Sequence, residues 1–278
     1  MPLAQATVPL LDRGFLFADG VYEVIPVYGR RAFALDRHLA RLARSLRELA
    51  IANPHDDAAW TALVHQLIEA NVPSAGTEQL VYLQVTRGAP AKRAHTFPLD
   101  TPPTVIGMSN ALPAPDPAAL RDGVAALTLA DARWARCDIK SIALLPNVLA
   151  TQAAREALCN EAILHRDGRV TEGSSSNVFA VLGDTVVTPA KGHEILPGVT
   201  RDLLIELLRA AGIAVQERRL TLAELRSAGE IWLTSSSREV LPVTTLDGAP
   251  IGGGKPGPLW HTAWELLQAK KRDRSIFR

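Results

Sequence analysis

Lys140 stands in the stretch RCDIKSIALL, where its apolar neighbours are Ile139, Ile142, Leu144 and Leu145. This pattern predicts a buried position, and an ammonium group is costly to bury without a partner. A lysine at the end of a strand commonly avoids that cost by extending its charged group into water. The alternative is a desolvated amine that attacks a carbonyl carbon and forms a Schiff base. Residues elsewhere in the chain have to distinguish the two hypotheses.

A lysine Schiff base supports carbanion chemistry only with an electron sink such as pyridoxal phosphate. Such a cofactor needs a phosphate site, and the stretch PGVTRD offers one at the start of a helix. Backbone N–H groups of Val199 and Thr200 would face an anion there, and Gly198 would let the backbone approach it. The hydroxyls of Ser235 and Ser236, at the end of the strand LTSSS, form a second candidate group.

The cofactor also needs an acid facing its pyridine nitrogen and donors for the substrate carboxylate. Glu172, in VTEGSSSNV, is a candidate acid, because a carboxylate beside the ring nitrogen keeps it protonated. Arg93 and His95, in the tripeptide RAH, are candidate donors. Each stretch also has an ordinary interpretation as a surface turn, a capped helix or a basic loop. Arg41 lies in a run of helical arginines that is typical of a solvated face.

Composition limits the class of protein. The chain has 278 residues, a net charge of +1, 47% hydrophobic and 21% charged residues, as expected of one large or two modest globular domains. The near-zero charge gives no electrostatic reason to expect a nucleic-acid or membrane partner. The two cysteines lack metal-ligand spacing, and the N-terminus lacks the features of a signal peptide. We therefore expect a cytoplasmic protein without a metal site.

Strand and helix signals alternate along the chain. GVYEVIPVYGRRAFAL predicts two strands around a turn at Gly29. Three turn dipeptides, Asp167-Gly168, Gly183-Asp184 and Asp247-Gly248, predict hairpins in the second half. In the first half, leucines recur at helical spacing through DRHLARLARSLRELA and predict a helix: Leu39, Leu42, Leu46 and Leu49.

Two further signals concern helix ends. Thr200 is a candidate N-cap for the helix in PGVTRDLLIELLRAAG, and Gly212 is a candidate stop. Thr221 and Glu224, three residues apart, predict a capping box at the start of another helix.

A proline-rich stretch, ALPAPDPAAL, divides the chain and predicts a linker over residues 113–118. The sequence thus predicts an N-terminal domain over residues 1–112 and a C-terminal domain over residues 119–278 that carries Lys140. Strands and helices are mixed on both sides of the linker, so both domains are predicted to be α+β.

Together these stretches resemble the class IV (fold-type IV) pyridoxal-phosphate-dependent aminotransferases, and among them the bacterial enzymes specific for D-amino acids. The resemblance runs from Asp12 to the C-terminal helix, and the order and spacing of the stretches match as well. It implies a two-domain α+β fold with the cofactor at the domain interface. The matching stretches are DRGFLFADGVYEV, HLARL, YLQVTRG with RAH, RWARCDIKSIALL, EAILHRDGRVTEGSSSNVF, LPGVTRD and LTSSSREV.

The resemblance implies a role for each candidate residue. Lys140 would hold pyridoxal 5'-phosphate as a Schiff base and move the substrate proton, and Glu172 would contact the pyridine nitrogen. Tyr22, Arg93 and His95 would bind the substrate carboxylate, the last two being supplied by the neighbouring subunit of a homodimer. The residues implied for the phosphate are Arg41, Val199, Thr200, Ser235 and Ser236.

The implied reaction transfers an amino group between a D-amino acid and a 2-oxo acid, such as D-alanine and 2-oxoglutarate. A 4-amino-4-deoxychorismate lyase and a branched-chain L-aminotransferase share this fold, but the RAH loop favours the D-specific enzymes. An (R)-selective amine transaminase and the lyase stay open as alternatives. The family also has a strand before the position of Asp12, where this chain has only MPLAQATVPLL.

Overall fold

The computed structural model describes residues 3–277, which divide into two compact units. The first unit contains residues 3–112, Ile139–Leu144 and Phe277, and the second contains Pro113–Asp138 and Leu145–Ile276. The chain thus leaves the first unit after Leu112 and returns to it for the short segment around Lys140.

The first unit combines strands and helices, as the sequence predicts. A 3₁₀ turn at Leu3–Gln5 comes first. The elements that follow are α1 (Arg13–Phe17), β1 (Gly20–Tyr28), β2 (Arg31–Ala32), α2 (Leu35–Glu48), α3 (Asp57–Ala75), β3 (Gln79–Thr86) and β4 (Thr104–Ala111).

An antiparallel sheet of order β2-β1-β3-β4 forms the centre of this unit. Strand β1 pairs with β3 from Gly20, opposite Thr86, to Val27, opposite Gln79. Alternate side chains of both strands are buried, so that one face of the sheet carries the core. Helix α2 packs on β1 and α3 packs on β4, and the predicted leucine stripe of α2 is buried in the same core. The two predicted strands around Gly29 and the helix after them are confirmed.

The segment Ile139–Leu144 adds to the sheet of the first unit. The N–H of Tyr22 donates to the Lys140 carbonyl at 3.0 Å, and the Ile142 N–H donates to the Gly20 carbonyl at 3.1 Å. Ile139 is buried in the same core. The structure therefore groups Lys140 with the first unit, whereas the sequence placed it in a domain over residues 119–278. Hydrogen bonds to β1, which is distant in the sequence, explain the difference.

The second unit begins at Pro113 and so includes the predicted linker, and helix α4 starts within that linker at Pro117. Its elements are α4 (Pro117–Asp122), β5 (Val124–Ala130), α5 (Leu145–Glu156), β6 (Glu161–Arg166), β7 (Arg169–Gly173), β8 (Asn177–Leu182), β9 (Thr185–Thr188), α6 (Val199–Ala210), β10 (Val215–Glu217), α7 (Leu222–Arg226), β11 (Glu230–Ser235), β12 (Glu239–Leu246), β13 (Ala249–Pro250) and α8 (Pro258–Arg272), with a 3₁₀ turn at Arg274–Phe277.

A mixed sheet of order β10-β9-β8-β11-β12-β5-β6-β7 organises the second unit, and β13 pairs with β12. The pairs β6–β7, β8–β9 and β12–β13 are antiparallel and turn at the three predicted dipeptides, so the predicted hairpins are confirmed. Helices α6 and α8 pack on β11 and β12. Phe179 and Trp232, directly opposite each other on β8 and β11, stack with their ring centroids 6.1 Å apart in the core.

The helix-end predictions have mixed outcomes. Thr221 and Glu224 form the predicted capping box. Helix α6 begins one residue before Thr200, with Gly198 as its N-cap, so Thr200 as the N-cap was wrong. Gly212 follows the helix with a φ of +77°, as expected of a stop. Within residues 3–277, none of the helices is both long enough and apolar enough to cross a membrane.

Candidate active site

A buried polar stripe runs along helix α2. His38, Arg41 and Ser45 follow one another at intervals of three and four residues, which places them on one helix face. All three side chains are buried, at 1%, 8% and 0% exposure. Because α2 packs on β1, this stripe faces the sheet instead of water. The interpretation of Arg41 as part of a solvated face was wrong.

Glu23, on β1, is the carboxylate that this stripe surrounds. Arg41 donates through Nε to Oε1 at 2.7 Å and through Nη2 to Oε2 at 2.8 Å. His38 Nδ1 lies 2.8 Å from the same Oε2. Burial raises the pKa of Glu23, but the charge of Arg41 and the hydrogen bonds of Arg41 and His38 outweigh it and hold that pKa well below its usual range. A two-point contact of this kind fixes the plane of the guanidinium of Arg41.

The ring of His38 is expected to be neutral near pH 7. Burial lowers its pKa, and the nearby charges of Arg41 and Lys140 lower it further, against the opposing effect of Glu23. The sequence analysis missed both His38 and Glu23. A signal for Glu23 was available, because it shares the buried face of β1 with Val21 and Ile25.

The main chain of Lys140 is fixed from two sides. Its carbonyl accepts the N–H of Tyr22, and its own N–H donates to the Ser45 hydroxyl at 3.3 Å. Its Nζ lies 4.1 Å from the centroid of the Tyr22 ring, in range of a cation–π contact. Within residues 3–277, no carboxylate lies in salt-bridge range of this amine. Lys140 is half-buried, between the two extremes considered from sequence.

The apolar run around Lys140 is buried only in part. Ile139 is 4% exposed, whereas Leu145 is 69% exposed. The difference arises because helix α5 begins at Leu145 and turns part of the run to the surface.

Tyr22 belongs to an aromatic pair. Its ring stacks on Tyr82 of the neighbouring strand, with centroids 5.6 Å apart. Tyr82 donates its hydroxyl to Gln84 at 2.6 Å, and burial raises the pKa of Tyr82 to about 12. The stack restricts the orientation of the Tyr22 ring beside Lys140.

Arg93 and His95 lie on the long loop between β3 and β4. The Arg93 guanidinium is 4.5 Å from the Phe17 ring centroid, and the His95 ring is 5.3 Å from it. Both side chains are exposed. Within the described part of the chain, neither contacts Tyr22, so a single chain does not assemble the three predicted carboxylate-binding residues.

Glu172 lies at the end of β7 in the second unit and is 4% exposed. Arg133 Nη1 donates to its Oε1, while Asn177 Nδ2 at 2.9 Å and the Leu196 N–H at 3.0 Å donate to its Oε2. Arg133 in turn donates through Nε and Nη2 to Asp131, at 2.9 and 2.8 Å. None of these partners was predicted from the sequence. Arg133 and Leu196 lie far from Glu172 along the chain and gave no local signal, whereas Asn177 is five residues away, in the same stretch VTEGSSSNV.

The two carboxylates that share Arg133 differ in their acidity. Burial raises the pKa of Glu172 to about 7, and the attraction of Arg133 only partly opposes it. Burial also raises the pKa of Asp131, but its hydrogen bonds to Arg133 outweigh this and bring the value to about 2. Asp131 is thus ionised near neutral pH, while Glu172 can gain or lose a proton there.

The start of helix α6 lies beside Glu172. The N-cap, Gly198, makes no side-chain hydrogen bond, so among the described residues no side chain caps the first-turn N–H groups that include Val199 and Thr200. A Cβ at Gly198 would lie 2.0 Å from Asn177 Oδ1, so only glycine permits this approach. Asn177 therefore joins the helix start to the Glu172 carboxylate.

Ser235 ends strand β11, next to Thr234, which pairs with Asn177. The Ser235 hydroxyl accepts the N–H of Arg238 at 3.1 Å, and the Ser236 side chain is half-buried. The structure thus brings Ser235 close to the start of α6 through the β8–β11 pairing.

A third buried carboxylate, Glu161, holds the serine turn that follows Glu172. The hydroxyls of Ser174, Ser175 and Ser176 all donate to it, the last two at 3.0 Å. Arg238 Nη1, 3.3 Å away, also donates to it. Ser174, Ser176 and Asn177 of this turn are therefore buried in a network while Ser175 is exposed, and Arg238 links the turn to the one that contains Ser235.

These groups fit pyridoxal phosphate. Lys140 offers an amine without a carboxylate partner among the described residues, and Glu172 is a buried acid with a raised pKa. The uncapped start of α6 and the hydroxyls beside it suit a phosphate group. Arg41 is oriented by Glu23 for an anion.

Comparison with known proteins also indicates a pyridoxal-phosphate-dependent enzyme. The family model for class IV amino-transferases matches residues 20–246. The D-alanine aminotransferase of Bacillus licheniformis is 41% identical over 96% of this chain and 93% of its own length. The D-alanine aminotransferase of Staphylococcus aureus (strain MSSA476) is 37% identical over 98% of this chain and 95% of its own.

Solved structures agree in fold. A hypothetical aminotransferase from Mycobacterium tuberculosis, in a PLP-bound form, superposes with a TM-score of 0.85 and 28% identity, covering 97% of this chain and 94% of its own. The branched-chain amino acid aminotransferase of Escherichia coli superposes with a TM-score of 0.88 at 22% identity, covering 97% of this chain and 91% of its own. This chain belongs to the class IV aminotransferase family. The predicted fold type, enzyme class and cofactor, pyridoxal 5'-phosphate, are confirmed.

The acidity of Glu172 generates a prediction about stability. Folding raises its pKa from an ordinary value of 4.5 to about 7, so between these pH values the folded protein holds a proton that the unfolded chain has lost. The free energy of unfolding of the wild type should therefore fall, relative to Glu172→Gln, as the pH rises through this window. Urea unfolding of the cofactor-free proteins at a series of pH values measures the difference.

The matched control is Glu265→Gln, a change at an exposed glutamate of α8. The difference in free energy of unfolding between the wild type and Glu265→Gln should not change across the same pH range. A difference between wild type and Glu172→Gln that is constant with pH would contradict the raised pKa.

Proposed function

We propose that this class IV aminotransferase transfers an amino group between a D-amino acid and a 2-oxo acid, for example from D-alanine to 2-oxoglutarate to give pyruvate and D-glutamate. The relatives named D-alanine aminotransferase, which are 37% to 41% identical over most of the chain, support this choice. The branched-chain enzyme of Escherichia coli, by contrast, is 22% identical. We also propose that the enzyme acts in the cytoplasm, as the sequence predicts.

One observation in the structure carries the proposed chemistry. The amine of Lys140 lies against the Tyr22 ring with its main chain fixed on both sides, and within the described residues it has no carboxylate partner. An amine in an ion pair would be held as an ammonium, whereas a reactive amine has to give up its proton. The lack of an ion pair among the described residues supports our assignment of Lys140 as the amine that holds the cofactor.

Lys140 and Glu172 have separate roles in the proposed reaction. Pyridoxal phosphate, when bound, supplies the electron sink for negative charge at the substrate Cα. Lys140 holds the cofactor and, once released, takes the Cα proton at Nζ. Glu172 holds a proton at the ring nitrogen, for which a pKa of about 7 is well matched.

We assign the cofactor phosphate to the residues that the family resemblance implies. Arg41 offers a guanidinium whose plane is set by Glu23. Backbone N–H groups at Val199 and Thr200 contribute the dipole of α6. The hydroxyls of the β11 turn, Ser235 and Ser236, complete the set.

We assign the substrate carboxylate to Tyr22, Arg93 and His95, with the last two donated by the partner subunit of a homodimer. Two observations support this. Within the described part of one chain, Arg93 and His95 do not contact Tyr22. Apolar side chains are also exposed in the first unit near this loop, at Phe15 (72%) and Leu99 (90%), as expected of a surface that a partner covers.

A half-reaction tests the specificity. The cofactor-bound protein is mixed separately with D-alanine, L-alanine and (R)-1-phenylethylamine, and the visible absorbance of the cofactor is followed. Loss of that absorbance with D-alanine alone is expected. Loss with the amine would instead indicate a permissive amine transaminase, and no loss with any of the three would favour the lyase.

Replacing Lys140 with alanine should lower turnover by several orders of magnitude, because the amine that we assign to moving the Cα proton is removed. The cofactor should still bind through the phosphate-binding residues. Equilibrium dialysis measures binding and a coupled assay measures turnover. Wild-type turnover in Lys140→Ala would refute the assigned role.

Subunit complementation tests the shared site. Lys140→Ala and Arg93→Ala are each expected to be poor enzymes, but refolding them together should restore activity at low D-alanine concentration. Half of randomly mixed dimers are hybrids with one intact site, so about a quarter of the wild-type activity should return. If Arg93 served its own subunit, the mixture would be no more active than its components.

A further inference from the structure

The segment Asp12–Gly14, which we call the DRG segment, has no role in the proposed chemistry, yet it is buried. Asp12 is 1% exposed and accepts the Gly14 N–H at 2.8 Å and the Thr86 hydroxyl at 3.0 Å. The N–H of Arg13 donates to the Gly88 carbonyl at 2.9 Å. These bonds fasten the segment to the end of β3, where the loop that carries Arg93 and His95 begins.

The guanidinium of Arg13 holds the loop itself. Its Nη1 donates to the carbonyls of Ala94 at 2.5 Å and Thr96 at 3.3 Å, and its Nη2 donates to the carbonyl of His95 at 3.3 Å. Three consecutive carbonyls thus bind one planar group that is 5% exposed. A lysine, with donors at a single point, cannot reproduce this arrangement.

Asp19 balances the charge of Arg13. It accepts Arg13 Nε at 2.7 Å and Arg87 Nε at 2.8 Å. Burial raises the pKa of Asp19, but the hydrogen bonds of the two arginines outweigh it and keep this carboxylate ionised. The Arg87 guanidinium lies 3.6 Å from the centroid of the Phe97 ring, which gives the loop a second attachment.

The loop needs such attachments because it has little structure of its own. None of the described residues 87–103 is in a helix or strand. Loops longer than about 15 residues without regular structure are usually functional or disordered. Its two ends meet where Gly88 has a φ of +89° and a Cβ would lie 2.1 Å from the Pro102 carbonyl oxygen. Between these ends, the buried Arg13 binds the loop carbonyls of residues 94–96.

We propose that Arg13 is a positioning residue for substrate recognition: by fixing the backbone of residues 94–96, it presents Arg93 and His95 to the substrate carboxylate. The inference rests on the proposed function, in which these two side chains bind that carboxylate. Arg13 itself touches neither substrate nor cofactor. Its effect is therefore on the affinity for amino-acid substrates and not on the chemistry at Lys140.

The test is Arg13→Lys in the cofactor-bound enzyme. The KM for D-alanine should rise by roughly tenfold or more, with kcat and cofactor affinity within about twofold of the wild type. Trypsin should also cleave after Lys92 and Arg93 faster in the variant, because the loop backbone is no longer held. Mass spectrometry of the fragments identifies the cleavage site.

The matched control is Arg121→Lys, at an exposed surface arginine of α4 that pairs with Asp122. It should leave KM and cleavage unchanged. If Arg13→Lys does not fold, as judged by circular dichroism, Arg13→Gln takes its place, since it keeps two N–H donors.

A positioning role is separated from a general structural one by changing the loop side chains. In an Arg93→Ala/His95→Ala background, adding Arg13→Lys should not raise KM further, because the groups it positions are gone. Three results would overturn the proposal. The first is that Arg13→Lys raises KM in the double-variant background by the same factor as in the wild type. The others are that Arg13→Lys alone lowers kcat by as large a factor as it raises KM, or that it leaves KM at the wild-type value.

The same experiment distinguishes failure of the proposed function. If Arg93→Ala/His95→Ala alone leaves the KM for D-alanine unchanged, these side chains do not bind the carboxylate and both proposals fall. If that double variant raises KM while Arg13→Lys changes neither KM nor trypsin cleavage, only the role of Arg13 falls.

Discussion

An ionised carboxylate that is removed from water needs several hydrogen-bond donors, and this requirement organises each unit of the enzyme. In the first unit, Glu23 on β1 forms hydrogen bonds with Arg41 and His38 of α2. In the second, Glu161 gathers the serine turn and Arg238. Neither glutamate has a part in the proposed chemistry. Each instead sets the position of groups that do, because a donor satisfying a buried charge has few other conformations open to it.

Glu172 departs from this pattern in an informative way. Arg133 donates two side-chain hydrogen bonds to Asp131 and one to Glu172, so its guanidinium is shared between the two carboxylates. Burial then raises the pKa of Glu172 to about 7, although a guanidinium lies beside it. A carboxylate whose charge was fully compensated by a guanidinium would interact only weakly with a ring nitrogen. The shared arginine thus holds Glu172 in place without removing its capacity to exchange a proton near neutral pH.

The sequence predicted features that depend on neighbouring residues. The hairpins at Asp167-Gly168 and Gly183-Asp184 form because a two-residue turn with positive φ is a local property. The position of Lys140 was not predictable in this way, since it depends on hydrogen bonds to β1, more than a hundred residues earlier. The site residues came from the resemblance to the family, residue by residue. Their supports, Glu23, Asp131 and Arg133, are set by contacts that join distant parts of the chain.

The DRG segment shows why a motif can be recognised without its role being understood. Arg13 binds the carbonyls of residues 94–96, and every residue type has a carbonyl, so the loop carries no sequence signal for this contact. For the same reason, the contact does not depend on which side chains the loop carries. Side chains at Ala94 and Thr96 can change without loss of the acceptors that hold the backbone. Arg13 thereby fixes the position of the loop backbone independently of the loop side chains. Those side chains, and with them the substrate preference, can therefore vary while the contact with Arg13 is unchanged.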